Sequence, residues 1–139
     1  MTAHWMTYVK HSYDIIMEAE QRALVNLEHE LEAYLVHTFA RYMERPNIAE
    51  EPVALQLMEG MQKTGEVRRQ HLERVAEECL LIDGLGIKKS RWPTLGYYAD
   101  MGQLALEYRA WSDRPPDLFY ERVAQHFPVL SRVLHTIQI

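Results

Sequence analysis

LEHELEAYLVHTFARYME, residues 27–44, is the stretch whose spacing settles the fold class. Leu27, Leu31, Tyr34, Leu35, Thr38, Phe39 and Tyr42 recur at i, i+4, i+7 and i+8, which is one face of an α-helix. Asn26 stands where an N-cap belongs. Arg45-Pro46-Asn47 ends the helix, because the residue before a proline is pushed out of the helical region. A second stripe, Ala33, Val36, Ala40 and Met43, leaves only a narrow polar band of Glu30, His37, Arg41 and Glu44. A helix that is apolar on two sides is expected at the centre of a bundle.

Working outward, Tyr8 to Ala23 carries Val9, Tyr13, Ile16, Met17 and Ala19 and reads either as a separate helix or as an extension of the first. On the other side, Pro52 opens a short helix through Val53, Leu57 and Met61, and Thr64-Gly65 marks the turn after it. The spacing predicts the next helix from about Gly65 to Asp83, with Leu72, Val75, Ala76, Cys79 and Ile82 inward and Gly84 at the C-terminal cap. Pro93-Thr94 opens a helix bearing Tyr97, Met101, Leu104, Ala105, Tyr108 and Trp111. The last segment has Phe119, Val123, Phe127, Leu130, Leu134 and Ile137 at helical spacing, kinked or divided at Pro128. Nothing alternates with period two for long enough to suggest a sheet. The expectation is an all-α fold: a compact bundle of five or six helices in one domain spanning 1–139, with 27–44 central and 65–83 as its second wall.

Composition supports this. The 139 residues are 47% hydrophobic and 25% charged, enough for a single core without disulfides or a structural metal. Fifteen Lys and Arg against twenty Asp and Glu leave a net charge of −5, which argues against nucleic acid as a partner. No run approaches eighteen apolar residues, so no membrane span is expected. The opening Met1 to Lys10 contains no apolar stretch of the kind a secretory signal needs. Cys79 is the only cysteine, and a cytoplasmic protein is the simplest reading.

The chemistry-bearing residues give weaker signals. Glu30 with His37, and His71 with Glu78, are i, i+7 pairs, each placing a carboxylate and an imidazole on one side of a helix. Two turns separate the members of each pair by roughly 10 Å, so a metal would need donors from both helices. Neither Glu-x-x-His nor His-x-x-x-His occurs, and no metal or cofactor is expected. His71 and His126 sit beside apolar faces, where a hydrogen-bonded structural histidine is the simpler reading. Lys88, Lys89 and Arg91 beside Trp92 form a basic loop that could hold an anion, and Arg68, Arg69 and Arg74 extend it only if the fold brings them together. The usual nucleotide and nucleophile motifs are absent, which lowers the weight of an enzyme.

What the chain holds in excess is amphipathic surface: eight Tyr, seven Met and three Trp. Tyr97, Tyr98, Met101, Tyr108 and Trp111 concentrate near one helix and suit an interface or an adaptable pocket. At Glu32-Ala33-Tyr34-Leu35-Val36-His37, at Glu78-Cys79-Leu80-Leu81-Ile82-Asp83-Gly84-Leu85 and at Tyr97-Tyr98-Ala99-Asp100-Met101-Gly102, the chain resembles a family of small, uncharacterised helical proteins of proteobacteria, over about residues 27–135. The resemblance implies a bacterial helical fold and no particular activity. The linker Gly86 to Thr94 departs from it, being shorter and lacking an acidic residue. The functional expectation is a protein-interaction or regulatory module acting as a homodimer. The alternatives are a bundle that binds a hydrophobic ligand or cofactor and, with less support, a metal-dependent enzyme or sensor at Glu30, His37, His71 and Glu78.

Overall fold

The computed structural model of the chain describes residues 3–87 and 96–137. Among them are seven helices and no strand: α1 (Ala3–Ala23), α2 (His29–Glu44), α3 (Val53–Gln62), α4 (Gly65–Leu85), α5 (Tyr97–Ala110), α6 (Leu118–Gln125) and α7 (Phe127–His135). The all-α expectation holds, and the count of five or six is corrected to seven. Two breaks make the difference. Leu24, with φ +57, reverses the chain after α1, so α1 is a separate helix. Pro128 lies in the first turn of α7, where its missing N–H is harmless, so the last segment is divided.

The centre of the bundle is α4, not the 27–44 helix. Leu72, Val75, Ala76, Glu78, Cys79, Leu80, Leu81, Ile82 and Gly84 are all buried, and they point around most of the helix. α3, α5 and α7 all pack on it. α2 packs chiefly on α1, where Ser12 donates to the Val36 carbonyl at 2.6 Å. The second stripe of α2 is only half used: Val36 and Ala40 are buried, Met43 is half-buried and Ala33 is exposed. The run Leu80-Leu81-Ile82, which breaks a one-face pattern, was the sequence signal for the true centre.

Two glycines explain how helices approach α4 so closely. A Cβ on Gly84 would lie 2.6 Å from Leu134 Cβ, and one on Gly102 would lie 2.5 Å from the Phe127 ring and 2.9 Å from Cys79 Cβ. Gly84 is therefore a notch in α4 for α7. The C-terminal cap belongs to Gly86, at φ +70, with the Ile87 N–H bonded back to the Ile82 carbonyl. Against these notches α7 sets Leu134 and Phe127, which with Leu130 and Val133 are fully buried, each contributing roughly 1.5–3 kcal/mol of apolar burial. The far end of α7 is tied to α1, because Thr136 donates to the Ala19 carbonyl at 3.2 Å. Buried residues of all seven helices form one connected cluster.

Asn26 is exposed and does not cap α2. Glu28 occupies the N-cap position without a side-chain bond, and the Leu27 N–H is instead taken by Glu20 Oε1 at 2.8 Å. The Glu20 carboxyl of the preceding helix thus ties down the segment before α2, and α2 itself has no side-chain cap. No helix among the described residues is long and apolar enough to cross a membrane.

Candidate functional site

The surface carries two grooves. The first lies between α5 and α6, with a volume of about 540 Å³, and is lined by Gln103, Glu107, Tyr108, Trp111, Glu121, Ala124 and Gln125. The chain makes it by turning sharply after α5. Asp117 N–H donates to the Ala110 carbonyl at 2.9 Å, and the Asp117 side chain accepts from Phe119 N–H at 3.1 Å, starting α6. That turn leaves Trp111 and Leu118, each 64% exposed, at its two ends. Arg114 sits between them, exposed and with no acidic partner among the described residues.

Beneath this groove lies a charged layer. Arg109, buried, donates to Glu73 at 2.6 Å and to Asp113 at 3.1 Å, and its guanidinium stands 4.2 Å from the centre of the Tyr120 ring. Arg69 reaches Asp113 at 3.4 Å and Arg68 donates to Ser112 at 3.1 Å. These contacts fix the α5–α6 turn to the first half of α4. Desolvation and the Glu73 charge push the Tyr120 hydroxyl above its ordinary range, so it stays a neutral phenol against the guanidinium.

The second groove, about 890 Å³, runs between the C-terminal half of α2, the segment 45–52 and α4. Arg41 closes one side with a two-bonded pair to Glu77, at 2.8 and 2.9 Å. Burial raises the Glu77 carboxyl above its ordinary value against the opposing pull of Arg41. Glu78 lies in the groove, its Oε1 accepting from Ala49 N–H at 3.1 Å. Its Oε2 and the buried Thr38 hydroxyl have no hydrogen-bond partner.

The structure separates residues that the spacing had grouped. Glu30 pairs with Arg122 of α6, as does Glu28. His37 Nδ1 donates to the Ala33 carbonyl at 2.7 Å, and His71 Nε2 donates to the Gln56 carbonyl at 2.7 Å. Glu78 faces the α2–α4 groove. Each of the four is engaged in a different place, and among the described residues no group of three or more His, Cys, Asp or Glu could hold a metal ion. His126 is exposed and its Nδ1 donates to the Arg122 carbonyl at 2.8 Å; it stands at the break between α6 and α7, where helical spacing no longer holds.

The aromatic cluster also divides. Tyr108 and Trp111 line the α5–α6 groove, whereas Tyr98 and Met101 pack on the core and Tyr97 meets Tyr98 edge to face at 5.2 Å. The patch Arg68, Arg69 and Arg74 does not form: the first two are bonded toward α5, and Arg74 lines the α2–α4 groove. Lys88, Lys89 and Arg91, with the helix opening at Pro93-Thr94, lie outside the described residues. Sequence reasoning missed Thr38 and Arg45 as groove residues and Leu118 as an exposed apolar residue. Leu118, next to the proline break, was the only one with a readable signal. No protein-family model, curated protein or solved structure matches the chain.

Proposed function

We propose that the chain is a protein-interaction module that pairs with a second copy of itself across the α5–α6 groove. The observation that carries this reading is Trp111, a tryptophan 64% exposed at the edge of a groove and held on a turn fixed by the ion pairs of the buried Arg109. Exposed aromatic anchors on rigid supports are what interfaces use, since little side-chain order is lost on binding. Leu118 adds apolar area beside it. The charge pattern suits a self-complementary contact: Glu107 and Glu121 line the groove, and the unpaired Arg114 sits on the same end of the molecule. In a two-fold pair, Arg114 of each copy meets the acids of the other.

A cytoplasmic setting and a bacterial origin fit the lone buried Cys79 and the sequence resemblance, and they belong to the same reading. Sedimentation equilibrium checks it. Wild-type protein is expected to associate to a dimer at micromolar concentration. Trp111→Ala should weaken association by about 2 kcal/mol, roughly thirtyfold, with an unchanged helical spectrum. A strictly monomeric wild type, or a variant that dimerises equally well, would refute the reading.

A further inference from the structure

We propose that the α5–α6 groove is a binding site for a guanidinium group, carried by a small guanidino compound free in solution. The site is made by the groove's own lining and does not need a second copy of the chain, which would compete for it. At about 540 Å³ the groove falls in the size range of small-molecule sites.

The sign of the charge follows from what lines the groove and what does not. Glu107 of α5 and Glu121 of α6 are its only charged lining residues, and neither forms an ion pair among the described residues. The arginines nearest to them in the chain are turned elsewhere: Arg109 to Glu73 and Asp113, and Arg122 to Glu28 and Glu30. Arg114 is not part of the lining. An anion would therefore meet two like charges, and a neutral molecule would leave both unused. The kind of cation follows from the other walls. Trp111, 64% exposed, and Tyr108, half-buried, give the groove aromatic surface, which attracts organic cations. A guanidinium is flat and weakly hydrated, so it stacks on a ring while its N–H groups reach acceptors in its own plane. The two carboxylates and the side-chain amide oxygens of Gln103 and Gln125 are such acceptors. An ammonium is compact and strongly hydrated, and gains less from the rings. Because the Arg109 ion pairs fix the turn that carries Trp111, little order is lost when the ring is covered.

The test is saturation-transfer NMR of the full chain with butylguanidinium, run at a protein concentration where sedimentation shows at least half of the chains to be monomers. Saturable binding at millimolar concentration is expected. Butylurea, the neutral molecule of nearly the same shape, and butylammonium should each bind more weakly by roughly threefold or more. Glu107→Gln, Glu121→Gln and Trp111→Ala should each weaken butylguanidinium by a similar factor, with unchanged helical spectra. Glu44→Gln, which removes an acid of the other groove, should bind as wild type does. The proposal is overturned if binding does not saturate, if butylurea or butylammonium binds as tightly, if the Glu107 and Glu121 variants bind as wild type does, or if Glu44→Gln weakens binding as much as they do. Its failure is distinct from that of self-association. A chain that never dimerises yet binds butylguanidinium keeps the site and loses the pairing, whereas a dimer whose monomers bind none keeps the pairing and loses the site.

Discussion

Leu24 and Gly86 occupy the same backbone position in the same kind of helix ending, and they respond oppositely to substitution. After α1, the Val25 N–H reaches back to the Glu20 carbonyl with Leu24 at φ +57; after α4, the Ile87 N–H reaches the Ile82 carbonyl with Gly86 at φ +70. A left-handed conformation costs a residue with a Cβ roughly 1–2 kcal/mol and glycine almost nothing. Leu24 is 92% exposed, so little packing is lost with its side chain. Leu24→Gly should therefore raise stability, and Gly86→Ala lower it, each by about 1 kcal/mol in urea unfolding. Glu20 is a second unusual residue. Burial and the neighbouring Glu32 carboxyl raise it from 4.5 to about 7, partly offset by the Leu27 N–H. The folded state thus holds a proton that the unfolded chain releases, so stability is greatest below about pH 4.5 and falls as pH rises toward 7. Glu20→Gln keeps the acceptor for Leu27 and removes the charge. Its melting temperature should match wild type near pH 5 and exceed it at pH 8, by an amount equivalent to about 1–3 kcal/mol. Equal pH dependence in both proteins would count against the assignment.

Helices pack on α4 because it carries apolar side chains around most of its circumference and glycine at a crossing. Replacing Gly102 by Ala gains about 1 kcal/mol of helix propensity, but the new methyl would stand 2.5 Å from the Phe127 ring and 2.9 Å from Cys79 Cβ. Both neighbours are fully buried and cannot withdraw without strain of about 1–3 kcal/mol, so Gly102→Ala should be net destabilising, by up to about 2 kcal/mol in chemical denaturation. Much of this layer was legible in the chain. The apolar spacing fell on each helical segment, but it left α1 either separate or continuous with α2 and the last segment either kinked or divided at Pro128. Caps were read less well, because the groups that satisfy helix ends came from elsewhere: Glu20 serves the amide before α2, and Gly84, which resembles a cap, is spent on contact with Leu134. The central position was assigned to the wrong helix for a related reason. The two stripes of α2 suggested burial on two sides, whereas Ala33 of the second stripe is exposed and Met43 only half-buried.

The α2–α4 groove was not visible as a unit in the sequence, because it draws its lining from 38–49 and 70–81, whereas the α5–α6 groove is lined by neighbours within 103–125. Tyr108 and Trp111 were identifiable from the aromatic cluster. The part of Arg114 was not, since a cation without an ion pair is recognised only once the partners of the others are known. The five other arginines that form ion pairs, Arg22, Arg41, Arg69, Arg109 and Arg122, look no different in the sequence. The charged layer beneath the α5–α6 turn holds Trp111 and Leu118 outward, and self-association through that face is the central claim. Photo-cross-linking tests it most directly, with a benzophenone amino acid in place of Leu118 and the cross-linked peptides identified by mass spectrometry. Covalent dimers joined at residues 103–125 of the second copy are expected, with loss of the product when Trp111→Ala is added. Cross-links that fall only within one chain, or on α1 or α3 of a second copy, would contradict the claim.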